Sequence, residues 1–129
     1  GMELFIGAKK ETNYPHVILC GLGGIFVEVL KDVSASMIPV SNEEALKMIT
    51  DLKAYPILKG VRGQTGVNIE LFAETIVNLS NLLLMVPEIA ELDLNPLMAS
   101  ENDLTAVDVR IRLEKTDKKL QPNNINELA

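Results

Sequence analysis

Two stretches near the C-terminal end alternate polar and apolar residues with a period of two: Glu91-Leu92-Asp93-Leu94-Asn95 and Val107-Asp108-Val109-Arg110-Ile111-Arg112-Leu113. That period is the signature of a strand with two different faces. The pair therefore reads as a hairpin, with Ile89 to Asn95 as one arm and Thr105 to Leu113 as the other. If Ser100-Glu101-Asn102-Asp103 makes the turn, the hairpin centre falls between Glu101 and Asn102, which sets Asn95 opposite Asp108 and Asp93 opposite Arg110. Glu91, Asp93, Asn95, Asp108, Arg110 and Arg112 then share one face. Leu92 and Leu94 take the other, and Val107, Val109, Ile111 and Leu113 are expected to point to the core with them.

Opposed side chains on a sheet have Cβ atoms about 4.5 to 5.5 Å apart, which brings Asp93, Asn95 and Asp108 within reach of a single cation. Two carboxylates and an amide oxygen are hard ligands that suit Mg²⁺, an ion that accepts few protein ligands and completes its octahedron with water and phosphate oxygens. Arg110 beside them is placed to hold a phosphate or to neutralise Asp93. The competing reading is a solvated sheet face closed by an Asn-Pro turn, with Asp93 and Arg110 as a surface pair of little energetic weight. Spacing alone leaves both open.

Upstream of the hairpin the first forty residues read as strands, Glu3 to Lys9, His16 to Leu22, Ile25 to Leu30 and Val33 to Val40, divided by Thr12-Asn13-Tyr14-Pro15 and by Gly23-Gly24. Ser41 is an N-cap with Glu44 as its capping-box partner, and Ala45, Leu46, Ile49 and Leu52 form one apolar helix face. A loop with three glycines, Lys59 to Gly66, leads to a second helix whose stripe Ile69, Phe72, Ile76, Leu79, Leu83 and Val86 keeps helical spacing until Pro87. Strands, helix, helix, strands is the order of an α+β fold: a mainly antiparallel sheet with two helices packed on one face. The polar stretch after Leu113 reads as a tail, and Gly1-Met2 as a cloning scar on a segment cut from a longer chain.

Composition narrows the chemistry. With 129 residues and 47% hydrophobic content the chain is long enough for one domain with a real core. A net charge of -6 and a pI near 4.8 argue against a nucleic-acid partner. No apolar run approaches the roughly 20 residues of a membrane helix, and the expected compartment is the cytoplasm. Cys20 lies in the apolar run Val17-Ile18-Leu19-Cys20 and reads as a buried thiol, while His16, the one histidine, reads as structural or exposed. Cys-His and Ser-His catalysis thus have few parts to work with, and no catalytic residue is assigned.

The glycine-rich run Gly21-Leu22-Gly23-Gly24 is followed by the β-rich Ile25-Phe26-Val27-Glu28-Val29-Leu30 and not by a helix, so it is no dinucleotide fingerprint, and the chain has no Walker A lysine pattern. Gly23 and Gly24 either make a tight turn between strands or bring backbone amides to a phosphate. Glu28 is an inward carboxylate near that site or a solvent-facing residue. Lys59, Arg62 and the loop glycines can wrap an anion or simply connect two helices.

Several of these runs carry a resemblance that periodicity does not show. Gly21 to Ser34, Ala54-Tyr55-Pro56, Leu58-Lys59-Gly60-Val61-Arg62-Gly63, Glu88 to Leu97, Val107-Asp108-Val109-Arg110-Ile111 and the opening Glu3-Leu4-Phe5-Ile6-Gly7-Ala8 resemble the ADP-forming acetyl-CoA and acyl-CoA synthetases, relatives of the succinyl-CoA synthetase β subunit. The similarity covers about residues 3 to 113 and points to the C-terminal part of their ATP-grasp domain. It implies ATP and Mg²⁺ as cofactors, with Asn95 and Asp108 as metal ligands and Asp93 where such proteins carry an acidic ligand or a carboxylate facing the phosphohistidine. Gly23, Gly24, Glu28, Arg62 and Arg110 become the nucleotide or phosphate contacts. The chain departs from the family at Glu11-Thr12 and Pro15-His16, where Asp-Pro and Gly-Pro are common, and at Ser36, where arginine is common.

What the resemblance implies for function is a part of a ligase that joins a carboxylic acid to CoA with release of ADP and phosphate, inactive by itself. Its partners would be the N-terminal half of the ATP-grasp domain and a CoA-binding domain or subunit, with a homo-oligomer left open. A second reading is a regulatory synthetase-like module of a protein acetyltransferase, and a third is a subunit-contact domain whose polar sheet face is only surface.

Overall fold

The N-terminal strand forms the middle of the sheet, because its odd and even positions are both wanted inside. In the computed structural model, which describes residues 1–11, 15–24 and 31–114, β1 (Met2–Lys10) buries Leu4, Ile6 and Ala8 on one face and Phe5 and Gly7 on the other. It pairs antiparallel with β2 (His16–Leu22) on one side and β4 (Ile89–Ala99) on the other. β3 (Val33–Met37) continues the sheet beyond β2, and β5 (Leu104–Ala106) and β6 (Val109–Leu113) both pair with the far side of β4. All pairings are antiparallel, as the sequence order of elements predicts.

One face of this sheet carries the helices. α1 (Asn42–Thr50) begins at Ser41, whose Oγ accepts from the Glu44 amide at 3.1 Å while the Glu44 carboxylate accepts from the Ser41 amide at 3.3 Å, the reciprocal cap expected from the sequence. α3 (Ile69–Met85) begins at Asn68, whose side chain accepts from the Leu71 amide. Phe72, Ala73, Ile76 and Leu83 from α3 and Ala45, Met48 and Ile49 from α1 meet Leu4, Ile6, Ile18, Cys20, Leu92 and Leu97 in a single buried cluster. No helix among the described residues is long and apolar enough to cross a membrane.

Polar groups inside this cluster are paired. Ser80 is fully buried and its Oγ accepts from the Val40 amide at 2.9 Å, tying α3 to the segment that enters α1. Asp32 accepts from the Lys53 and Ala54 amides at 2.8 and 2.7 Å, which fastens the entry to β3 onto the end of α1. His16 is buried, its Nε2 2.5 Å from the Ile89 carbonyl oxygen, so the histidine is structural. Burial, helped by Asp32, pushes the Cys20 thiol up to about 12, and the nucleophilic thiolate is suppressed.

Four sequence expectations need correction. A short helix α2 (Tyr55–Lys59), with Pro56 in its first turn, occupies a stretch to which the sequence pattern assigns no element, and it takes in Lys59, which that pattern places in the glycine loop; five residues are too few to show periodicity. The strand expected over Val33 to Val40 stops at Met37, before the cis Ile38–Pro39 bond. The arm expected over Thr105 to Leu113 is two strands broken at Val107-Asp108, while its partner runs on to Ala99. Val107, Val109, Ile111 and Leu113 do not enter the core: β6 is an edge strand beyond the helices, and these side chains are 63, 49, 52 and 61% exposed. The turn at 12–14, the strand expected at 25–30 with Glu28, and the tail from 115 onward lie outside the described residues.

Candidate metal and phosphate site

The hairpin register is the one read from the sequence. Asp93 pairs with Arg110 and Leu94 with Val109, and the Asn95 amide donates to the Asp108 carbonyl oxygen at 3.1 Å. Asp93, Arg110, Glu91 and Arg112 therefore lie on the sheet face opposite the helices. On the neighbouring strand, Gly7 pairs with Asp93 and Lys9 with Glu91, so β1 presents no side chain beneath Asp93. A Cβ at Gly7 would stand 3.8 Å from the Asp93 carboxylate.

An irregularity in β4 completes the arrangement. Between the pairs Ile6 with Leu94 and Leu4 with Leu97, β4 carries Asn95 and Pro96 where β1 carries only Phe5. This is a bulge, and it changes the parity of the strand: Leu92 and Leu94 are buried before it, Leu97 and Ala99 after it. The bulged Asn95 reaches toward the Gly23-Gly24 turn, where its Oδ1 accepts from the Gly24 amide at 2.8 Å. The turn itself is pinned by the Gly23 amide donating to the Glu3 carbonyl oxygen at 2.9 Å.

The structure thus gathers Asp93, Asn95, Asp108, Arg110, Gly23 and Gly24 at one place. Arg110 Nε stands 3.4 Å from the Asp108 carboxylate, and both side chains are at least half exposed, so the pair is weak on its own. Asp93 has its carboxyl held above the ordinary carboxylate range, first by desolvation and then by Asp108 and Glu91, against the opposing pull of Arg110. The donors suit a hard dication: two carboxylates, of which Asp108 disfavours the charge on Asp93, and an amide oxygen with a lone pair left after its bond to Gly24. Among the described residues no group of three His, Cys, Asp or Glu side chains is placed to hold a metal, so a site here would draw on the Asn95 amide or on water beside the two carboxylates.

Arg62 lies elsewhere. It sits at φ 43 in the glycine loop and lines a small hollow with Lys59 and Gly63; this hollow shares Gly66 and Glu101 with the larger groove of ≈ 1190 Å³ that Gly24 lines with Glu3, Ile57, Pro96 and Met98. Glu3 was not singled out from the sequence. Its carboxylate lies against Gly24, next to Asn95, a position set by the pairing of β1 with β4 across most of the chain and therefore invisible to local pattern.

Because the ionised form of Asp93 is disfavoured by folding, its contribution to stability is present at low pH and lost as pH rises through its raised folded-state value. Asp93→Asn is accordingly expected to raise the melting temperature of the metal-free chain near neutral pH and to leave it unchanged below the ordinary carboxylate range. Thermal unfolding across that pH window checks it; a destabilised variant at neutral pH would mean that Arg110 outweighs burial.

Residues 1–113 match the ATP-grasp domain family model. The chain belongs to the ATP-grasp family. Among relatives of this ATP-grasp segment, the β subunit of acetate–CoA ligase (ADP-forming) I from Pyrococcus furiosus is 48% identical over 113 residues, covering 88% of this chain and 49% of the subunit. The 4-hydroxybutyrate–CoA ligase (ADP-forming) of Nitrosopumilus maritimus is 44% identical over 115 residues, covering 88% of this chain and 16% of that protein. A solved structure of acetyl-coenzyme A synthetase 1 from Candidatus Korarchaeum cryptofilum, in complex with coenzyme A and Mg-AMPPCP, superposes with a TM-score of 0.84 at 38% identity over 88% of this chain and 54% of its own. The ATP-grasp segment thus spans about half the length of the P. furiosus subunit and a smaller part of the longer ligase.

Proposed function

We propose that this chain is the C-terminal subdomain of the ATP-grasp domain of an ADP-forming acyl-CoA synthetase, folded over residues 3–113, and that it contributes the metal-binding half of the phosphoryl-transfer site. The whole enzyme would convert a carboxylic acid, CoA and ATP to acyl-CoA, ADP and phosphate; this part alone would be inactive. The observation that carries the reading is the convergence of Asp93, Asn95 and Asp108 on one sheet face, in a chain 48% identical to a subunit of an ADP-forming ligase.

In this reading Asp93, Asn95 and Asp108 hold Mg²⁺, which supplies charge neutralisation for the phosphates of ATP. The protein's own part is positional. Gly24 fixes Asn95 by donating to its Oδ1, which leaves that oxygen a second lone pair for a metal. Arg110 can exchange its loose contact with Asp108 for a phosphate oxygen once the carboxylates are otherwise engaged. Phosphoryl transfer requires such placement of charge more than covalent participation by side chains. Gly23 contributes through backbone, and Arg62 serves a phosphate from the loop hollow that adjoins the Gly24 groove.

Mn²⁺ titration of the chain followed by NMR tests the site directly. Broadening is expected first at Asn95, Asp108 and Gly24, and Asp108→Ala should remove it. Uniform weak broadening over all exposed carboxylates would leave the polar face as surface only.

A further inference from the structure

Helices α1 and α3 pack together over the sheet, α1 against β2 and β3 and α3 against β2. A helix is about 10 Å across and strands lie about 4.8 Å apart, so two helices cover about four strands. Counted from β3, β6 is the fifth strand position. Its apolar side chains stand in line with the core: Val109 is opposite Leu94, Ile111 opposite Leu92 and Leu113 opposite Ile89. The β4 members of these pairs are 8, 2 and 4% exposed, while their β6 partners are about half exposed or more. The core runs one strand past the helix layer.

A second apolar wall borders it. Leu82 and Met85, 36 and 80% exposed, stand at the C-terminal end of α3, which runs by a short turn into Ile89, the residue that pairs with Leu113 of β6. An exposed apolar surface of this extent marks a contact surface. The P. furiosus subunit has about as much chain again outside the matched segment, and so does the K. cryptofilum chain, whose matched part has the fold of this chain.

We propose that the corner between β6 and α3 seats a further helix of the same layer, an amphipathic one supplied by the part of the ATP-grasp domain that lies outside this chain. The proposal rests on the reading of this chain as one part of an ADP-forming synthetase. A helix fits where a strand would not. Pairing along the edge of β6 would satisfy its backbone but leave Val109, Ile111 and Leu113 bare, whereas a helix laid beside α3 buries them against its own apolar stripe and turns a polar back to solvent.

Ile111→Cys supplies a reporter, because the native Cys20 is buried. The substitution is made in the 129-residue chain and in a chimaera where this chain replaces the matching segment of the P. furiosus subunit. Labelling of the introduced thiol is expected to be at least about tenfold slower in the chimaera, where reaction requires local opening. Ile111→Lys should lower the melting temperature of the chimaera and spare that of the free chain. Equal labelling rates overturn the proposal. So does slow labelling of the free chain: recovery on dilution would identify a second copy as the occupant, and recovery on removal of residues 115–129 would identify the tail. If the chimaera does not fold, the same rates are read on the two halves co-expressed. ADP release by the chimaera is a separate readout. A protected thiol in an inactive chimaera keeps the docking site and counts against the ligase reading, and an unprotected thiol in an active one does the reverse.

Discussion

Asp108→Ala in the full-length parent is expected to remove acid- and CoA-dependent ADP release, by about a hundredfold or more if its carboxylate stabilises charge at the transferring phosphoryl group. The fold should survive. The Asp108 side chain is about half exposed, its only ion pair among the described residues is the loose one with Arg110, and its backbone contact to Asn95 does not depend on the side chain. Substitutions at such positions shift stability by about 0.5 kcal/mol or less. ADP release and thermal unfolding measured on the same preparation separate the two effects. An Asp108→Ala enzyme with undiminished turnover would take this residue out of the metal site, while a parent that releases no ADP with any small acid would favour a regulatory module.

Gly23→Ala is expected to be the most damaging small change near the site. A Cβ there would stand 2.2 Å from the Leu4 carbonyl oxygen and 3.0 Å from Asn95 Oδ1, and the first of these neighbours is backbone in the central strand. The chain must move. Overpacking of this kind costs about 1–3 kcal/mol, and here it also pulls the Gly24 amide away from Asn95. The expected result is a melting temperature lower by several degrees together with weakened Mn²⁺ binding. Gly63→Ala is the control, since nothing stands within 4 Å of the Cβ it would add and its φ of 78 carries only the local cost of a left-handed residue. Gly23→Ala with unchanged metal affinity would show that Asn95 keeps its orientation without the turn.

The parts of this architecture legible in the sequence are those set by local pattern. The capping box at Ser41, the stripe of α3 and the hairpin register all depend on residues close in the chain or on strict alternation. The register held even though β4 is bulged, because Val107 and Asp108 break the partner strand where Asn95 and Pro96 break β4, keeping the two arms in step. What stayed hidden depends on long-range pairing. Nothing near Glu3 announces that β1 will lie between β2 and β4, so the contact of its carboxylate with Gly24 has no local signal. The apolar alternation of β6 was read as core because pattern reports which residues are apolar, not whether a layer lies over them. Arg62 illustrates the reverse case: a loop rich in glycine and basic residues looks like an anion cradle, yet only its Thr65-Gly66 end lines the groove beside Gly24, and Arg62 lines the adjoining hollow.

The bulge at Asn95-Pro96 has a consequence for how this strand can vary. A regular strand devotes alternate positions to one task, so a residue that serves the polar face at one end must serve it throughout. With one residue added, β4 divides into two halves of opposite phase: Asp93 belongs to the polar face in the first, and Leu97 and Ala99 belong to the interior in the second. Each half can then accept substitutions suited to its own task without putting the other out of step. The loss of a single residue at this point would instead turn every downstream side chain over, placing Met98 and Ser100 toward the interior and Leu97 toward solvent. Length at this position is therefore under stricter constraint than the identity of most residues around it.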